Sequence, residues 1–515
     1  MSSPVLETGS TAIAFEDRSI SGVASLAQST LFRLILLTIA VLLVHGYHPF
    51  ADDAGGIYVA GIEKMMHPHL FGSDAGFILA HTKLSIFSHV FASALELLHL
   101  PLELGLFFSY LLTTFAFLLG SLRVSQRIFR DETLAWGATL LAGALFTIPV
   151  AATSLYLMDP DPTARSFSTP LSLFTLAACM DRRWKQMALW FVLTASLHPL
   201  MAAHLACFLI MYVAVTTHRW RLPLALCATG FAACAIIYIA TRHAPLPDGY
   251  LESMLMPEHS YFFLSRWHWY ELLGIIMPPL LMLLTAFRVR TGSAVFNVCI
   301  TCIALGVTAT LSAACFVHTD GSFFLARIQP LRSFQLIYAV GVLLLGGFLA
   351  SYLSGPRAVW GALFLVLLSG LMLFVQKQIY TTSAHIEWPF AAPKNPWQQA
   401  FIWARLHTPP DAFFAADPDY AQSASEDAQG FRTTAERGIL TDGLKDEGAV
   451  TMFPALAPKW KKDNNLELNL DHISDQERIR RLKPEGVTWL LLSAQAKTNF
   501  PCPYRNSAAA ICQLP

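Results

Sequence analysis

The chain has 515 residues, 54% of them hydrophobic and 14% charged, with Lys+Arg and Asp+Glu balanced at 35 each. So apolar a composition excludes an ordinary array of soluble domains and is that of a polytopic membrane protein. A net charge of zero gives no electrostatic footprint for a nucleic-acid partner, and none is expected. The charge is unevenly spread, since residues 385–515 carry 14 Lys+Arg and 16 Asp+Glu, or 30 of the 70 charged side chains. Three regions follow: a polar cytoplasmic tail (1–30), a transmembrane domain (31–384) and a soluble C-terminal domain (385–515).

A spanning helix needs ~20 mostly apolar residues. The first apolar run, 31–47, ends without a small-residue cleavage pattern and reads as a retained transmembrane helix. Ten more runs follow at 102–124, 133–155, 167–180, 186–198, 200–217, 222–241, 270–287, 293–317, 334–354 and 358–376. The fold expected is therefore a polytopic α-helical membrane protein with about eleven transmembrane helices. The runs between 167 and 217 are short enough to include half-helices or strongly tilted spans. With the N-terminus inside, tight basic loops such as Asp181-Arg182-Arg183-Trp184-Lys185 fall on the cytoplasmic side, as the positive-inside rule requires. An odd helix number then places the C-terminal domain outside the cytoplasm. Cys502 and Cys512 lie in that domain; at this spacing they can close a small loop by a disulfide in an oxidising compartment, or serve as unpaired thiols.

Directly after the first apolar run comes His48-Pro-Phe-Ala-Asp52-Asp53-Ala-Gly-Gly-Ile-Tyr58. Carboxylates so close to a bilayer boundary are costly unless they meet water, a partner or a ligand. Asp52 and Asp53 can cap an interfacial helix beginning near Ala54, or they can be working carboxylates. The first external loop, about 47–101, continues with two amphipathic stretches, 54–66 and 82–98, suited to lying in the membrane interface. Such a loop can receive a substrate whose tail stays in lipid.

The loop before the fourth apolar run falls on the same side and reads Met158-Asp159-Pro-Asp161-Pro-Thr163-Ala-Arg165-Ser166. Asp159 and Asp161 can share a hard divalent cation, or form a turn with Thr163 or Ser166 capping the next helix. Arg327 and Arg332 face the same side. Each arginine can simply snorkel to the headgroups, but with Arg165 they make a set suited to bidentate phosphate binding. His198-Pro199 breaks two short runs, and His198 reads as repair of freed backbone groups. Phosphate-binding Gly-rich loops, H-E-x-x-H and G-x-S-x-G are absent, which argues against an ATP-driven pump and a zinc protease.

In the C-terminal domain, 396–406 reads as a helix and 411–416 as a short strand. A long polar loop (417–430) and helices near 448–461 and 474–482 follow, with strands at 487–492 and 508–514. This order predicts a small α/β domain. Arg432, Arg437 and Lys445 are either headgroup or acceptor contacts or a solvated face.

The acidic pair after the first helix (Asp52-Asp53-Ala54, with Tyr58 a turn later), the interfacial helices of that loop, the number of apolar runs and the external C-terminal domain together resemble the GT-C superfamily. Those are integral-membrane glycosyltransferases that use polyprenyl-phosphate or -pyrophosphate sugars. The layout is also similar to bacterial membrane families of uncharacterised activity. The resemblance implies Asp52 as base or acceptor-polarising group, with Asp53 as its acidic neighbour. It implies His48, Tyr58, Arg165, Arg327 and Arg332 at the substrate, and a divalent metal (Mg or Mn) at Asp53, Asp159 and Asp161. The implied activity is inverting transfer of a hexosyl or pentosyl group from a polyprenyl-phosphate-linked donor to an unidentified acceptor. It would act at the external, periplasmic face of a bacterial inner (plasma) membrane. A transporter or flippase for a lipid-linked or anionic solute, and a non-catalytic membrane scaffold, are the alternatives. No W-W-D-type acceptor motif occurs in the tail, against a protein N-glycosylation enzyme.

Overall fold

The computed structural model describes residues 16–51, 54–72, 74–218, 221–319, 323–418, 420 and 430–515, with side chains of 16–29, 218 and 444 left aside. Asp52 and Asp53 lie outside the described residues. Every apolar run contains a helix, but only seven described helices are long and apolar enough to span a bilayer, or eight if the pair Ala75–Lys83 and Phe87–Leu98, bent by 98°, is one broken span. Fewer than the expected eleven thus meet that length and composition among the described residues. Helices Glu132–Ala144, Ala164–Met180 and Trp184–Leu197 are shorter than that, while the first helix runs over Glu16–His45.

The run at 133–155 fails for a physical reason. Its helix stops at Ala144, and Pro149, lacking an N–H, cannot continue it. Residues 145–163 instead fold irregularly, with Ala151 and Ser154 at positive φ. Such backbone is tolerated because it is buried against protein: the Thr147 hydroxyl meets His45 Nδ1 at 2.8 Å and accepts from Gln376 Nε2 at 2.9 Å. The helix Glu132–Ala144 packs against Phe334–Leu353 through small residues. A Cβ on Gly137 would sit 2.3 Å from that of Ala350, and one on Gly346 would sit 2.7 Å from the Ala138 Cα. Close backbone approach of this kind is how helices associate in lipid.

The C-terminal domain is a five-stranded mixed sheet, β1 Phe413–Ala416, β2 Gly438–Ile439, β3 Trp489–Ser493, β4 Tyr504–Arg505 and β5 Ala509–Gln513, in the order β2-β1-β3-β5-β4. β1 pairs parallel with β2 and β3, while β3–β5 and β5–β4 are antiparallel. Helices Pro396–His407, Gly443–Met452, Ala457–Glu467 and Asp475–Leu482 accompany it. Cys502 and Cys512 form a disulfide that ties the 500–503 segment to β5.

Three sets of contacts seat this domain on the membrane domain. Tyr47 pairs with the entering strap, its N–H donating to His385 O at 3.1 Å and its carbonyl accepting from Glu387 N at 3.0 Å. Tyr250 donates to Thr451 O at 3.0 Å, while Lys461 bridges Asp248 and Glu252 at 2.9 and 2.6 Å. Deepest of the three, Arg432 joins Asp74 (2.6 Å) and grips Asp446 with both terminal nitrogens (2.7 and 2.8 Å). Burial opposes the Arg432 charge, but Asp446 and Asp74 outweigh it and hold the guanidinium pKa above its ordinary value.

Asp442 lies beside this cluster, fully buried, with neither carboxylate oxygen hydrogen-bonded among the described residues. Burial, opposed by Arg432, pushes its carboxyl up to about 7. A carboxyl whose folded pKa exceeds its unfolded one favours folding least once it must ionise. Its penalty is therefore absent below about pH 4, grows between pH 4 and 7 and is full above that. Asp442→Asn is expected to stabilise the chain at pH 8 by up to ~4 kcal/mol and to leave it unchanged at pH 4. Denaturation followed at both pH values checks this, and equal gains at both would contradict it.

An arginine-lined cavity as candidate functional site

The stretch after the first helix is shaped by its glycines. Residues Ala54–Tyr58 form one π-helical turn running into the helix Val59–Met66, a feature often found at functional sites. A Cβ on Gly55 would lie 2.1 Å from the Phe50 carbonyl oxygen, and one on Gly56 would lie 2.3 Å from the Lys445 side chain. Thr433 also donates its hydroxyl to Gly55 O. These glycines thus admit the chain's own Phe50 and the C-terminal domain, and the turn Ala54–Tyr58 is clamped from that side.

At the end of the turn, Tyr58 faces a cavity of about 150 Å³ between the membrane helices and the C-terminal domain. Its polar lining includes Tyr58, His81, Arg165, His198, Gln329 and Arg332, with Tyr261 alongside and Met452 and Phe453 closing it from the domain. That volume is below the ~300 Å³ at which whole small-molecule ligands are usually enclosed, so what fits inside is a headgroup.

Each arginine is positioned by its local sequence. Thr163 and Ser166 form a capping box that starts the helix Ala164–Met180, as the turn reading of this loop expects. Arg165 leaves the first turn of that helix, and its Nε donates to Asp159 Oδ2 at 2.6 Å; Thr163 Oγ1 donates to the same oxygen at 3.0 Å. Asp159 therefore orients Arg165. Arg332 sits in a short 3₁₀ turn, Pro330–Ser333, with its guanidinium over the Tyr261 ring at 5.6 Å. Gln329, in the left-handed region at φ 52°, is buried with its Oε1 lacking a hydrogen-bond partner among the described residues.

His198 is the third donor. Burial first, then Arg165 and Arg332, hold its pKa well below the usual imidazole value. The ring is therefore neutral, and its Nδ1 accepts the Met201 N–H at 3.4 Å. Its proton then sits on Nε2, available as a donor.

The remaining expected site residues lie elsewhere. His48 is buried against Tyr380, ring centroids 3.7 Å apart, with neither nitrogen hydrogen-bonded among the described residues. Burial, aided by His385, lowers its pKa to about 3. A neutral ring so enclosed is a packing element. Arg327 lies over Phe324 at 5.3 Å and does not line the cavity. Asp161 is buried in the same loop as Asp159 and also off the cavity lining. Among the described residues no three His, Cys, Asp or Glu side chains converge to hold a metal ion. With Asp159 already held by Arg165, the described carboxylates fall well short of the six or more oxygens a hard cation takes, and no step is derived through one. Arg432 is consumed by its ion pairs, and Arg437 by the Arg405 and Thr408 carbonyls at 2.7 Å each. Neither is a headgroup contact.

No family model and no curated protein matches the chain. Among solved structures it is similar to the archaeal oligosaccharyltransferase AglB from Archaeoglobus fulgidus, in complex with an inhibitory peptide and a dolichol-phosphate. The identity is 10% and the TM-score 0.43, over 91% of this chain and 70% of that one.

Proposed function

We propose that the chain is a membrane glycosyltransferase moving a sugar from a polyprenyl-phosphate-linked donor to an acceptor on the side that carries the C-terminal domain. The observation that carries this reading is the pairing of Arg165 and Arg332, from distant parts of the sequence, on one headgroup-sized cavity at the junction of apolar helices and a polar domain. Two guanidiniums and a neutral imidazole N–H suit a phosphate, and the adjoining lipid suits its polyprenyl tail. Arg165 and His198 lie at the ends of the helices Ala164–Met180 and Trp184–Leu197 opposite the basic loop 181–185, so by the positive-inside rule the proposed side is the external face of a bacterial inner membrane.

In the reaction so proposed, Asp52 takes the proton of an acceptor hydroxyl as its oxygen attacks the anomeric carbon. The bond from that carbon to the phosphate oxygen breaks with its electron pair on the phosphate, and the configuration inverts. Arg165 and Arg332 stabilise the charge that develops there. Adjacent carboxylates repel, so in this reading Asp53 holds a proton while Asp52 is ionised.

The test is binding of a short-chain polyprenyl phosphate to the purified chain in nanodiscs. The phosphate is expected to bind, the corresponding alcohol to fail as a competitor, and Arg332→Ala to weaken binding at least tenfold, on the order of the 1.5–3 kcal/mol of a charged hydrogen bond. Equal affinity for phosphate and alcohol would remove the cavity from the reading.

A further inference from the structure

A cavity of about 510 Å³ opens among the helices Glu132–Ala144, Phe334–Leu353 and Ala358–Ile379, at the end of the bundle where Arg127 meets Asp181 of the basic loop. Its walls are apolar, with Leu140, Leu349, Leu353 and Phe364 among them, and the exposed Arg33 and Glu132 stand on its rim. The gap follows from the residues around it. Gly137, Gly346 and Ala350 bring the first two helices into backbone contact. The third buries only Met372 and Gln376, near its far end, and toward its start approaches through Gly361, where a Cβ would lie 3.1 Å from that of Leu353. An unfilled apolar gap of this size forfeits dispersion contacts along its walls, and in a bilayer the apolar material able to fill it is acyl chain.

The rim selects the lipid. Trp136 holds both charges: the Arg33 guanidinium lies over its ring at 5.5 Å, and its indole N–H donates to Glu132 Oε1 at 3.2 Å. Among the described residues neither charge has an ion-pair partner. Tryptophan and arginine at helix ends belong at the headgroup level of a bilayer. A guanidinium and a carboxylate on one indole complement a headgroup that carries both a phosphate and an ammonium, whereas a purely anionic headgroup would meet repulsion from Glu132. We infer that this cavity binds a zwitterionic aminophospholipid of the leaflet on the basic-loop side, with one acyl chain between the helices, the phosphate on Arg33 and the primary ammonium on Glu132. The inference is independent of the transfer reading. The cavity meets the helix Phe334–Leu353 at its last turns, while Arg332 precedes the first turn of that helix.

Native mass spectrometry of the full chain in detergent tests it, by titration with phosphatidylethanolamine, phosphatidylglycerol and diacylglycerol. Phosphatidylethanolamine is expected to bind more tightly than either of the others. Arg33→Gln should weaken it about fivefold, the weight of one basic side chain at a lipid phosphate. Glu132→Gln should erase the preference over phosphatidylglycerol, and Ala358→Phe, which fills the groove, should abolish binding. All three positions are exposed, so the variants report on binding without disturbing the core. Diacylglycerol or phosphatidylglycerol binding as tightly as phosphatidylethanolamine, or wild-type affinity in the two charge variants, overturns the inference. So does a dimer that carries no lipid and separates in Ala358→Phe, which would give the groove to a second copy of the chain.

Discussion

Arg432→Leu is expected to destabilise the chain by about 3–5 kcal/mol, the cost of removing one partner from a buried ion cluster. The arginine is 1% exposed and bonds Asp74 from the first loop and Asp446 from the C-terminal domain. Without it, two buried carboxylates repel at the seam between the domains. The domain also clamps the π-helical turn through Thr433 and Lys445, so a loosened seam should expose residues 54–66 to protease before the helices melt. Replacing the whole cluster (Arg432→Leu with Asp74→Leu and Asp446→Leu) is expected to recover most of the loss, since an apolar core tolerates what a half-broken ion cluster does not. A single Arg432→Leu variant with wild-type stability and protease pattern would show that the seam is held elsewhere.

The second large effect is expected at the chemistry. In the proposed reaction Asp52→Asn keeps the shape of the side chain and removes the base, so sugar transfer should fall ~10²–10⁴-fold. Affinity for polyprenyl phosphate should stay within a few-fold, because the proposal assigns the phosphate to Arg165 and Arg332. That split separates a base from a binding residue. Loss of binding in step with turnover would make Asp52 part of the donor site instead, and full activity would take it out of the mechanism.

How far the sequence foretold this arrangement depends on which forces decided each element. Apolar runs placed a helix in every membrane segment, because hydropathy and backbone satisfaction act locally. They overstated how many helices span, since Pro149 and the polar node at Thr147 act through neighbours distant in the chain. β1, β3 and β5 were readable as buried runs, whereas β2 and β4, two residues each, are too short to show an alternation. At the site, Arg165 and Arg332 were legible as arginines beside helix ends, and Thr163 and Ser166 as a cap. Arg327 carried the same local signal and lies elsewhere, because the left-handed turn at Gln329 directs the two arginines to different surroundings. Tyr261, Gln329, Met452 and Phe453 carried no local signal; tertiary packing alone brings them together. The space beside the two glycines after the acidic pair is filled by Phe50 and Lys445, a packing that no local pattern announces.

The most direct test of the central claim is to incubate the purified chain with polyprenyl-phosphate-linked sugars and a mixture of saccharides, and to assay both lipid and glycan products. Transfer predicts release of polyprenyl phosphate together with a new glycosidic bond of inverted anomeric configuration, both dependent on Asp52. Donor that binds and crosses the bilayer intact, with no polyprenyl phosphate released, would contradict the claim and make the chain a transporter.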